Sequence, residues 1–358
     1  MAVILDSRIL PLSRELDIYL ARSQARQVAA ALNFSPYSCT EIETAVSEIC
    51  SNALHYGGRG WVTLRGGPEG FEIVCIDEGP GFAGGGAPPR PDGLGIGLRG
   101  AAQLLDELRL EGSPGGGGKV VGRKRIDHGR STANRAATTG GDWVVACAQR
   151  PAPAETENGD VFFVSRWTGA GGDASALLVG VIDGLGHGPE AARTAATVAA
   201  HFTGRAGPAG RAARDPGGGP SLATLLSEAH TIAVATRGAA ATLVYIEPAK
   251  GRILHAGVGN VQGLVLPEGE PLVPAPGCLG VHLPPIHITE APWDCGSAVL
   301  LWTDGLSGPP VVSRPGPDGE PSTRAGWNAW RPWLEATLHR LADPRDDALL
   351  LAAFQLAS

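Results

Sequence analysis

Two groups of acidic and glycine residues in this chain have the types and the spacing to handle phosphate. The first lies in residues 44–98, where the runs TAVSEICSN, DEGPG and GLGIG follow one another. The second extends over residues 158–347 and consists of NGD, VIDG, LWTDG and a closing DD. Glycine loops of the first kind favour a nucleotide, and aspartates of the second kind favour a pair of divalent metal ions. A chain with both sites would add a phosphoryl group in one part and remove one in another, which is typical of a regulatory switch.

Glu48 and Asn52 are four residues apart in a segment with helical periodicity, so they share one helix face. The amide oxygen can ligate Mg²⁺, and the carboxylate can accept a proton from an attacking hydroxyl group. The same pair also occurs on ordinary solvated helix surfaces, so the spacing alone leaves both interpretations open.

Asp77 ends an apolar strand-like run and is followed by Gly79 and Gly81. A carboxylate at a strand end can accept a hydrogen bond from an adenine amino group, and the glycines let the backbone approach the base. The next loop has glycine at alternate positions, namely Gly93, Gly95 and Gly97. Its amides and the start of the following helix can hold phosphate. The order helix, Asp-glycine loop, glycine loop and helix is more specific than any single glycine loop.

Four aspartates stand at the edges of apolar runs, namely Asp160, Asp183, Asp304 and Asp346. Two carboxylates about 4 Å apart repel by roughly 4 kcal/mol at an effective dielectric constant of about 20. A cluster therefore needs a cation, and ligands that are all oxygen favour Mg²⁺ or Mn²⁺. Two such ions can share a bridging carboxylate and hold a hydroxide for attack on a phosphate ester. Any one of these aspartates alone is also explained by a turn after a strand.

The elements that must position these residues change in type along the chain. Residues 1–125 predict an α/β sandwich with helices on one face of a mixed sheet. Its helices are expected at 14–32, at 38–56 with Ser38 and Glu41 as a capping box and Gly57 after its end, and at 96–108, and its strands at 61–66, 71–77 and 119–125. Residues 126–141 lack periodicity and are expected to be a linker.

Residues 142–358 predict a second domain made of two packed sheets flanked by helices. Seven short strand-like runs support this, namely WVVACAQ, VFFVSRW, ALLVGVID, ATLVYIEP, RILHAGVG, AVLLWTDG and ALLLAAFQL. Helical stretches lie between them at about 188–206, 220–237 and 327–342. The predicted fold class of the whole chain is therefore α/β of the α+β kind.

Composition excludes several function classes. The formal net charge of −7 argues against nucleic acid as a partner, because such proteins normally present a basic face. No run of 18 apolar residues predicts a membrane span, and no signal peptide is evident. The six cysteines form no CxxC pair and are expected to be reduced, which indicates a cytoplasmic protein.

Residues 10–125 resemble the GHKL superfamily of ATPases and kinases, in its RsbT-like branch of anti-sigma-factor serine kinases. Glu48 and Asn52 match the N-box, Asp77, Gly79 and Gly81 the first glycine box, and Gly93, Gly95 and Gly97 the second. The resemblance implies a Bergerat-type α/β sandwich and ATP with Mg²⁺ as cofactors. It also implies Glu48 as general base and a serine or threonine of a STAS-domain protein as phosphate acceptor.

One position departs from that family. Its members usually have a threonine before the last strand, where this chain has Gly118. The lost hydroxyl group leaves two interpretations open. Either the glycine amides replace its phosphate contact and the domain is a kinase, or the domain is a non-catalytic, ATP-gated binding module of the anti-sigma-factor type.

Residues 142–358 resemble the metal-dependent serine/threonine phosphatases of type 2C, in the SpoIIE/RsbX branch. The matching segments are AQRPAPAETENGD, LLVGVIDGLGHG, HAGVGNVQGLV, CLGV, LLWTDGL and DDALLLAAF. The resemblance implies an αββα sandwich holding two Mn²⁺ or Mg²⁺ ions.

By that match, Asp183 bridges both ions, the carbonyl group of Gly184 ligates one, and Asp304 and Asp346 hold the other. Asp160 and Glu155 are expected nearby, with contact through water, and Asp347 is expected beside the ligands rather than among them. Phe163 stands where many members have a further aspartate, so no third ion is expected.

The sequence leaves two possible roles open for each of two polar residues near these motifs. His187 follows the bridging aspartate in DGLGHG, and it could donate a proton to the leaving alkoxide or cap the next helix. Asn260 follows AGVG, and it could orient a loop or the substrate, or be an ordinary turn residue.

These inferences together predict a bifunctional partner-switching regulator. Its kinase and phosphatase domains would act on STAS-domain anti-sigma antagonists or stressosome proteins. Further expected partners are a sigma factor or a stressosome complex, and a second copy of the chain in a homodimer. The alternative is a phosphatase fused to a binding module that transfers no phosphate.

Overall fold

The computed structural model describes residues 3–81, 96–112, 117–126, 143–167, 176–206, 219–294, 296–310 and 324–355. Contacts within the chain divide it into two units, Ile4–Ala137 and, with the first residues, Thr138–Ser358. Of the predicted linker at 126–141, only Ile126 is described, so the predicted domain boundaries stay predictions. No helix in the described ranges is long and apolar enough to cross a membrane.

The amino-terminal unit is an antiparallel sheet with helices against it. Its elements are β1 (Val3–Leu12), α1 (Glu15–Ala31), α2 (Pro36–Gly57), β2 (Gly60–Gly67), β3 (Gly70–Asp77), α3 (Ile96–Leu104), β4 (Glu107–Gly112) and β5 (Gly118–Arg125). The strand order is β1-β2-β3-β5-β4, and each neighbouring pair is antiparallel. The predicted sandwich is confirmed, whereas the expectation of a mixed sheet is wrong for the described strands.

The core of this unit lies between the helices and one sheet face. The α2 residues that recur at helical spacing, Ile42, Ala45, Val46, Ile49 and Ala53, are all buried, as the sequence predicts. They meet the alternate residues of β2 and β3 that face the same side, Val62, Leu64, Phe71, Ile73 and Cys75. Each large apolar side chain buried in this way stabilises the fold by about 1.5–3 kcal/mol. This packing fixes the position of α2, the helix that carries Glu48 and Asn52.

Several local expectations for this unit are wrong. The N-cap of α2 is Ser35, whose hydroxyl group accepts the amide of Ser38, and Pro36 follows at the first helical position. The C-cap is Gly58, with a φ of 72°, one residue after the expected Gly57. The helix α3 ends at Leu104 instead of 108, because the chain turns into β4 there.

The carboxyl-terminal unit confirms the predicted αββα sandwich. Its elements are β6 (Trp143–Arg150), β7 (Asp160–Trp167), β8 (Ala176–Gly184), α4 (Pro189–Ala206), α5 (Leu222–Ala233), β9 (Ala239–Glu247), β10 (Arg252–Val258), β11 (Gln262–Leu266), β12 (Glu270–Leu272), β13 (Thr289–Pro292), β14 (Ala298–Trp302), α6 (Arg324–Leu341) and β15 (Ala348–Gln355). Within this unit one sheet has the order β12-β11-β14-β15-β6 and the other β13-β10-β9-β8-β7. The helix α6 contacts the first sheet, and α4 and α5 contact the second.

The apolar core between the two sheets brings their strand ends into register. Buried side chains from β6, β8, β14 and β15 interlock there, and the rings of Trp143 and Trp293 lie 5.9 Å apart. The β7–β8 ladder places Asp160 directly opposite Asp183. Asp304 follows β14, and Asp346 precedes β15, which is the neighbour of β14. The ends of both sheets therefore carry the candidate site.

Candidate functional site

The carboxylates predicted to hold metal meet at one edge of the sandwich. Besides facing Asp160 in the ladder, Asp183 shares a side-chain hydrogen bond with Asp304. The amide Nδ2 of Asn260 donates to Oδ2 of Asp304 over 2.6 Å. Asn260 is therefore attached to the carboxylate cluster and is more than a turn residue.

Burial and the charges of neighbouring carboxylates raise the pKa of two carboxyl groups in this cluster, Asp183 and Asp160. The pKa of Asp183 is raised to about 8, first by burial and then by the charge of Asp304 and the hydrogen bond with it. The charge of Asp346 adds to this, while the Asn260 amide opposes it. Burial, followed by the charge of Asp183, also raises the pKa of Asp160 well above its usual range. A divalent cation would supply the missing positive charge and favour the ionised forms.

Thr303 fixes Asp160 in this cluster. Its hydroxyl group donates to Oδ2 of Asp160 over 2.7 Å and accepts the backbone amide of Leu349 over 3.0 Å. Asp160 is only 2% exposed, so this hydrogen bond has no water to compete with it. Sequence reasoning missed Thr303, although its place directly before the Asp-Gly pair of LLWTDG was an available signal.

Asp347 uses its carboxylate to connect two loops. It accepts the amides of Ala152 over 2.6 Å and of Gly159 over 2.9 Å. A side chain on Gly159 would lie 2.6 Å from Oδ2 of Asp347, so only glycine fits there. Burial raises the pKa of Asp347 to about 6, against the lowering effect of the two amides. The carboxylate thus ties the loop before β7 to the start of β15.

The two remaining predicted ligands lie on the backbone around this cluster. Gly184 ends β8, and its amide donates to the carbonyl oxygen of Gly159 over 3.1 Å. Oδ1 of Asp346 accepts the amide of Asp347 over 2.9 Å. Both residues lie beside the aspartates, and their roles as ligands stay predictions.

His187 has a carboxylate partner. Its Nδ1 lies 2.9 Å from Oε1 of Glu155, and the imidazole is 57% exposed. The next residue, Gly188, has a φ of +79°, and a side chain on it would lie 2.5 Å from Glu155. The loop thus holds His187 against Glu155 with one face of the ring open to solvent.

The donor set fits divalent metal ions in its chemistry. Its groups are carboxylates and one amide, and Asp160 and Asp183 are buried next to other carboxylates. Among the described residues, no three His, Cys, Asp or Glu side chains converge tightly enough to hold a metal ion as they stand. Asp183 and Asp304 are hydrogen-bonded to each other instead. Because a ligating carboxylate must be ionised, metal binding at these aspartates would release protons.

The nucleotide candidates lie in the amino-terminal unit around Asp77. Oδ1 of Asp77 accepts the amides of Gly79 over 2.9 Å and of Gly118 over 3.1 Å. Gly118 is the position that departs from the resembled family, and here its backbone amide orients the carboxylate. A side chain on Gly57 would overlap Asp77, so the end of α2 approaches β3 closely.

Glu48 lies against the start of α3. A side chain on Gly97 would come within 2.5 Å of Oε2 of Glu48, so the two residues are direct neighbours. Gly81 has a φ of +75°, a conformation that favours glycine. Gly93 and Gly95 lie outside the described residues, so their place in the site stays a prediction.

These features define a class of nucleotide-binding domain. A helix carries Glu48 and Asn52, a strand ends at Asp77, and glycines adjoin both. Residues 11–122 match the family described as "Histidine kinase-like ATPase domain". The chain is also 32% identical over 132 residues to the serine/threonine-protein kinase RsbT of Bacillus subtilis, which covers 32% of this chain and 93% of that kinase. Through its amino-terminal unit, the chain therefore belongs to the family of histidine kinase-like ATPase domains that includes RsbT.

Solved structures also align with more than half of the chain. A structure reported under "The bacterial stressosome" is 24% identical, with a TM-score of 0.48, and covers 59% of this chain and 99% of its own. The structure of RsbX in complex with magnesium is 21% identical, with a TM-score of 0.46, and the match covers 60% of this chain and 96% of RsbX. The phosphatase domain of SpoIIE from Bacillus subtilis, solved with a fragment of its regulatory domain, is 12% identical, with a TM-score of 0.43. That match covers 80% of this chain and 79% of the SpoIIE chain. Likeness at this level identifies neither an activity nor a substrate.

Proposed function

We propose that this chain is a bifunctional partner-switching regulator. Its amino-terminal unit phosphorylates a serine or threonine of a cytoplasmic STAS-domain protein, and its carboxyl-terminal unit hydrolyses such a phosphate. The observation that carries the phosphatase half is the meeting of Asp183 and Asp304 at the sheet ends, with Asp160 opposite Asp183 in the ladder and the Asn260 amide on Asp304. The kinase half is supported by the 32% identity to RsbT.

Three residues of the kinase half would each have a separate role. Asn52 would hold Mg²⁺ through its side-chain oxygen, and Glu48 would accept the proton of the attacking hydroxyl group. Asp77 would receive the adenine amino group on Oδ2, since its Oδ1 already accepts the amides of Gly79 and Gly118. The bound Mg²⁺ would offset the charge that develops on the transferred phosphate.

In the phosphatase half, hydrogen bonds from neighbouring residues hold the predicted metal ligands in position. Asp183, Asp304, Asp346 and the Gly184 carbonyl group would hold two Mn²⁺ or Mg²⁺ ions, with Asp160 close by. When bound, such ions generate a hydroxide nucleophile and stabilise the charge on the phosphate. Asn260 orients Asp304, Thr303 holds Asp160, and Asp347 fixes the adjoining loops.

His187 has the geometry for proton donation to the leaving alkoxide. Its imidazole is exposed on one side and hydrogen-bonded to Glu155 on the other. A carboxylate in this position orients the ring. We assign proton donation to His187 on these grounds, rather than a helix-capping role.

A second candidate function follows from Gly118. Its amide supports Asp77, but the hydroxyl group that the kinase family has at this position is missing. On this alternative, the amino-terminal unit binds ATP and holds a sigma factor, a stressosome protein or a second copy of the chain without transferring phosphate. The carboxyl-terminal unit would then be the enzyme.

One experiment tests both halves. The full chain carrying Asp183→Asn is incubated with γ-labelled ATP, Mg²⁺ and a purified STAS-domain protein, and the native chain is added with Mn²⁺ after ATP has been removed. We expect label on the STAS protein in the first stage and its release as phosphate in the second. ATP binding without transfer would favour the binding-module alternative, and label that persists with Mn²⁺ would contradict the phosphatase half.

A further inference from the structure

An apolar groove opens beside the carboxylate cluster. It has a volume of ≈ 480 Å³, and its walls are formed by Leu264, Leu272, Val273, Trp302 and neighbouring prolines. None of the residues that the structure places along its walls is charged. Val273 is 69% exposed, although the adjoining Leu272 is buried. The groove is thus suited to an uncharged, apolar group.

The groove is continuous with the candidate reaction centre. Gly259 and Asn260 line both this groove and a second cavity of ≈ 350 Å³ that contains Asp183. Asn260 also donates to Asp304 over 2.6 Å. One residue of extended chain spans about 3.3 Å, and the two cavities share two lining residues, so a residue beside the one at the carboxylates can reach the groove.

We propose that this groove is a specificity subsite for an apolar side chain that neighbours the phosphorylated serine or threonine of the substrate protein. The inference rests on the proposed phosphatase function and adds to it the chemistry that selects the substrate. The described walls carry polar groups on Asn260 and Gln262 but no charge, so a charged neighbouring residue would lose water on entry without meeting an opposite charge. A leucine-sized side chain would instead gain about ten- to hundredfold in kcat/KM by leaving water.

Phosphopeptides and one substitution test the subsite. Three peptides carry a central phosphoserine with leucine, serine or lysine on both sides, and p-nitrophenyl phosphate serves as a substrate without flanks. We expect the native chain with Mn²⁺ to prefer the leucine peptide by about tenfold or more over the serine peptide. Val273→Asp should remove this preference and favour the lysine peptide, with hydrolysis of p-nitrophenyl phosphate unchanged.

Val234→Asp is the matched control. Val234 lies at the end of α5, is 61% exposed and does not line the groove. Equal kcat/KM for the leucine and serine peptides would overturn the subsite, as would equal effects of the two substitutions. In either case, Mn²⁺-dependent hydrolysis of p-nitrophenyl phosphate would still support the phosphatase function. No Mn²⁺-dependent hydrolysis of any substrate would instead overturn the phosphatase function, and the subsite with it.

Discussion

Asp160 and Asp183 lie directly opposite each other across two antiparallel strands, 23 positions apart in the numbering and adjacent in the ladder. Asp160 is buried and anchored by Thr303, whereas Asp183 faces Asp304 and the cavity beside Asn260. The two carboxylates therefore differ in their surroundings, since Asp160 is held by a buried hydroxyl group and Asp183 borders a cavity. This asymmetry leads to distinct expectations for changes on the two sides.

Asp183→Asn should abolish Mn²⁺-dependent phosphatase activity and leave ATP binding intact. The amide keeps the size of the side chain but removes the charge predicted to bridge two ions. Hydrolysis of p-nitrophenyl phosphate and fluorescent-ATP titration measure the two functions. The metal assignment is wrong if hydrolysis by the variant stays within about twofold of the native rate.

The same substitution should also remove the thermal stabilisation by Mn²⁺. Ligand binding to the native state stabilises by mass action, by about 2.7 kcal/mol at a ligand concentration of about 100 times Kd. A melting curve with and without Mn²⁺ should show a rise in Tm for the native chain and none for the variant. A Tm rise of equal size in both would place the ions elsewhere.

Thr303→Val should destabilise the carboxyl-terminal unit by about 1–3 kcal/mol, because Asp160 and the amide of Leu349 both lose a buried hydrogen-bond partner. Thr303→Ser keeps the hydroxyl group and should restore most of that loss. Urea unfolding at pH 7 measures both variants. If the serine variant is as unstable as the valine variant, the threonine acts through methyl packing and not through this bridge.

Gly97→Ala should impair phosphoryl transfer by displacing Glu48, since the new methyl group would lie 2.5 Å from its carboxylate oxygen. Gly100→Ala in the same helix is the control, because a side chain there meets nothing within 4 Å. The control should preserve transfer and stabilise α3 by up to about 1 kcal/mol. Initial rates of labelled-phosphate transfer measure the effect. Equal rates for both variants would show that the position of Glu48 does not matter for transfer.

His255 should make the carboxyl-terminal unit sensitive to acid. Burial lowers its pKa from 6.5 to about 4, so the unfolded chain takes up a proton before the folded chain does. Stability present above pH 6.5 is therefore lost as the pH falls towards about 4, by roughly 3 kcal/mol from this residue. His255→Gln should lose less stability than the native chain between pH 7 and pH 4.5 in urea unfolding. Equal losses would show that other groups control the acid response.

Periodicity in the sequence is sufficient to predict the helices and the continuous apolar strands. The spacing of Ile42, Val46 and Ile49 predicts α2, because apolar residues three and four apart lie on one face of a helix. The continuous apolar runs predict β8 and β15, because runs of this short length are typical of strands buried on both faces. The strands β1, β4, β11, β12 and β13 were missed. In β4 the polar residues Glu107, Arg109 and Glu111 interrupt the apolar pattern, and β12 and β13 have only three and four residues.

Residue types and motif order determined by themselves which side chains could do chemistry, since a carboxylate, an amide or a glycine has fixed chemical capacities wherever it lies. Tertiary structure decided how those capacities are used. In the folded chain, the carboxylate of Asp347 accepts the backbone amide of Gly159, which is 188 residues away in sequence. The backbone amide of Gly118 likewise donates to the carboxylate of Asp77. Such pairings depend on the register of strands far apart in the chain, which local sequence patterns do not encode.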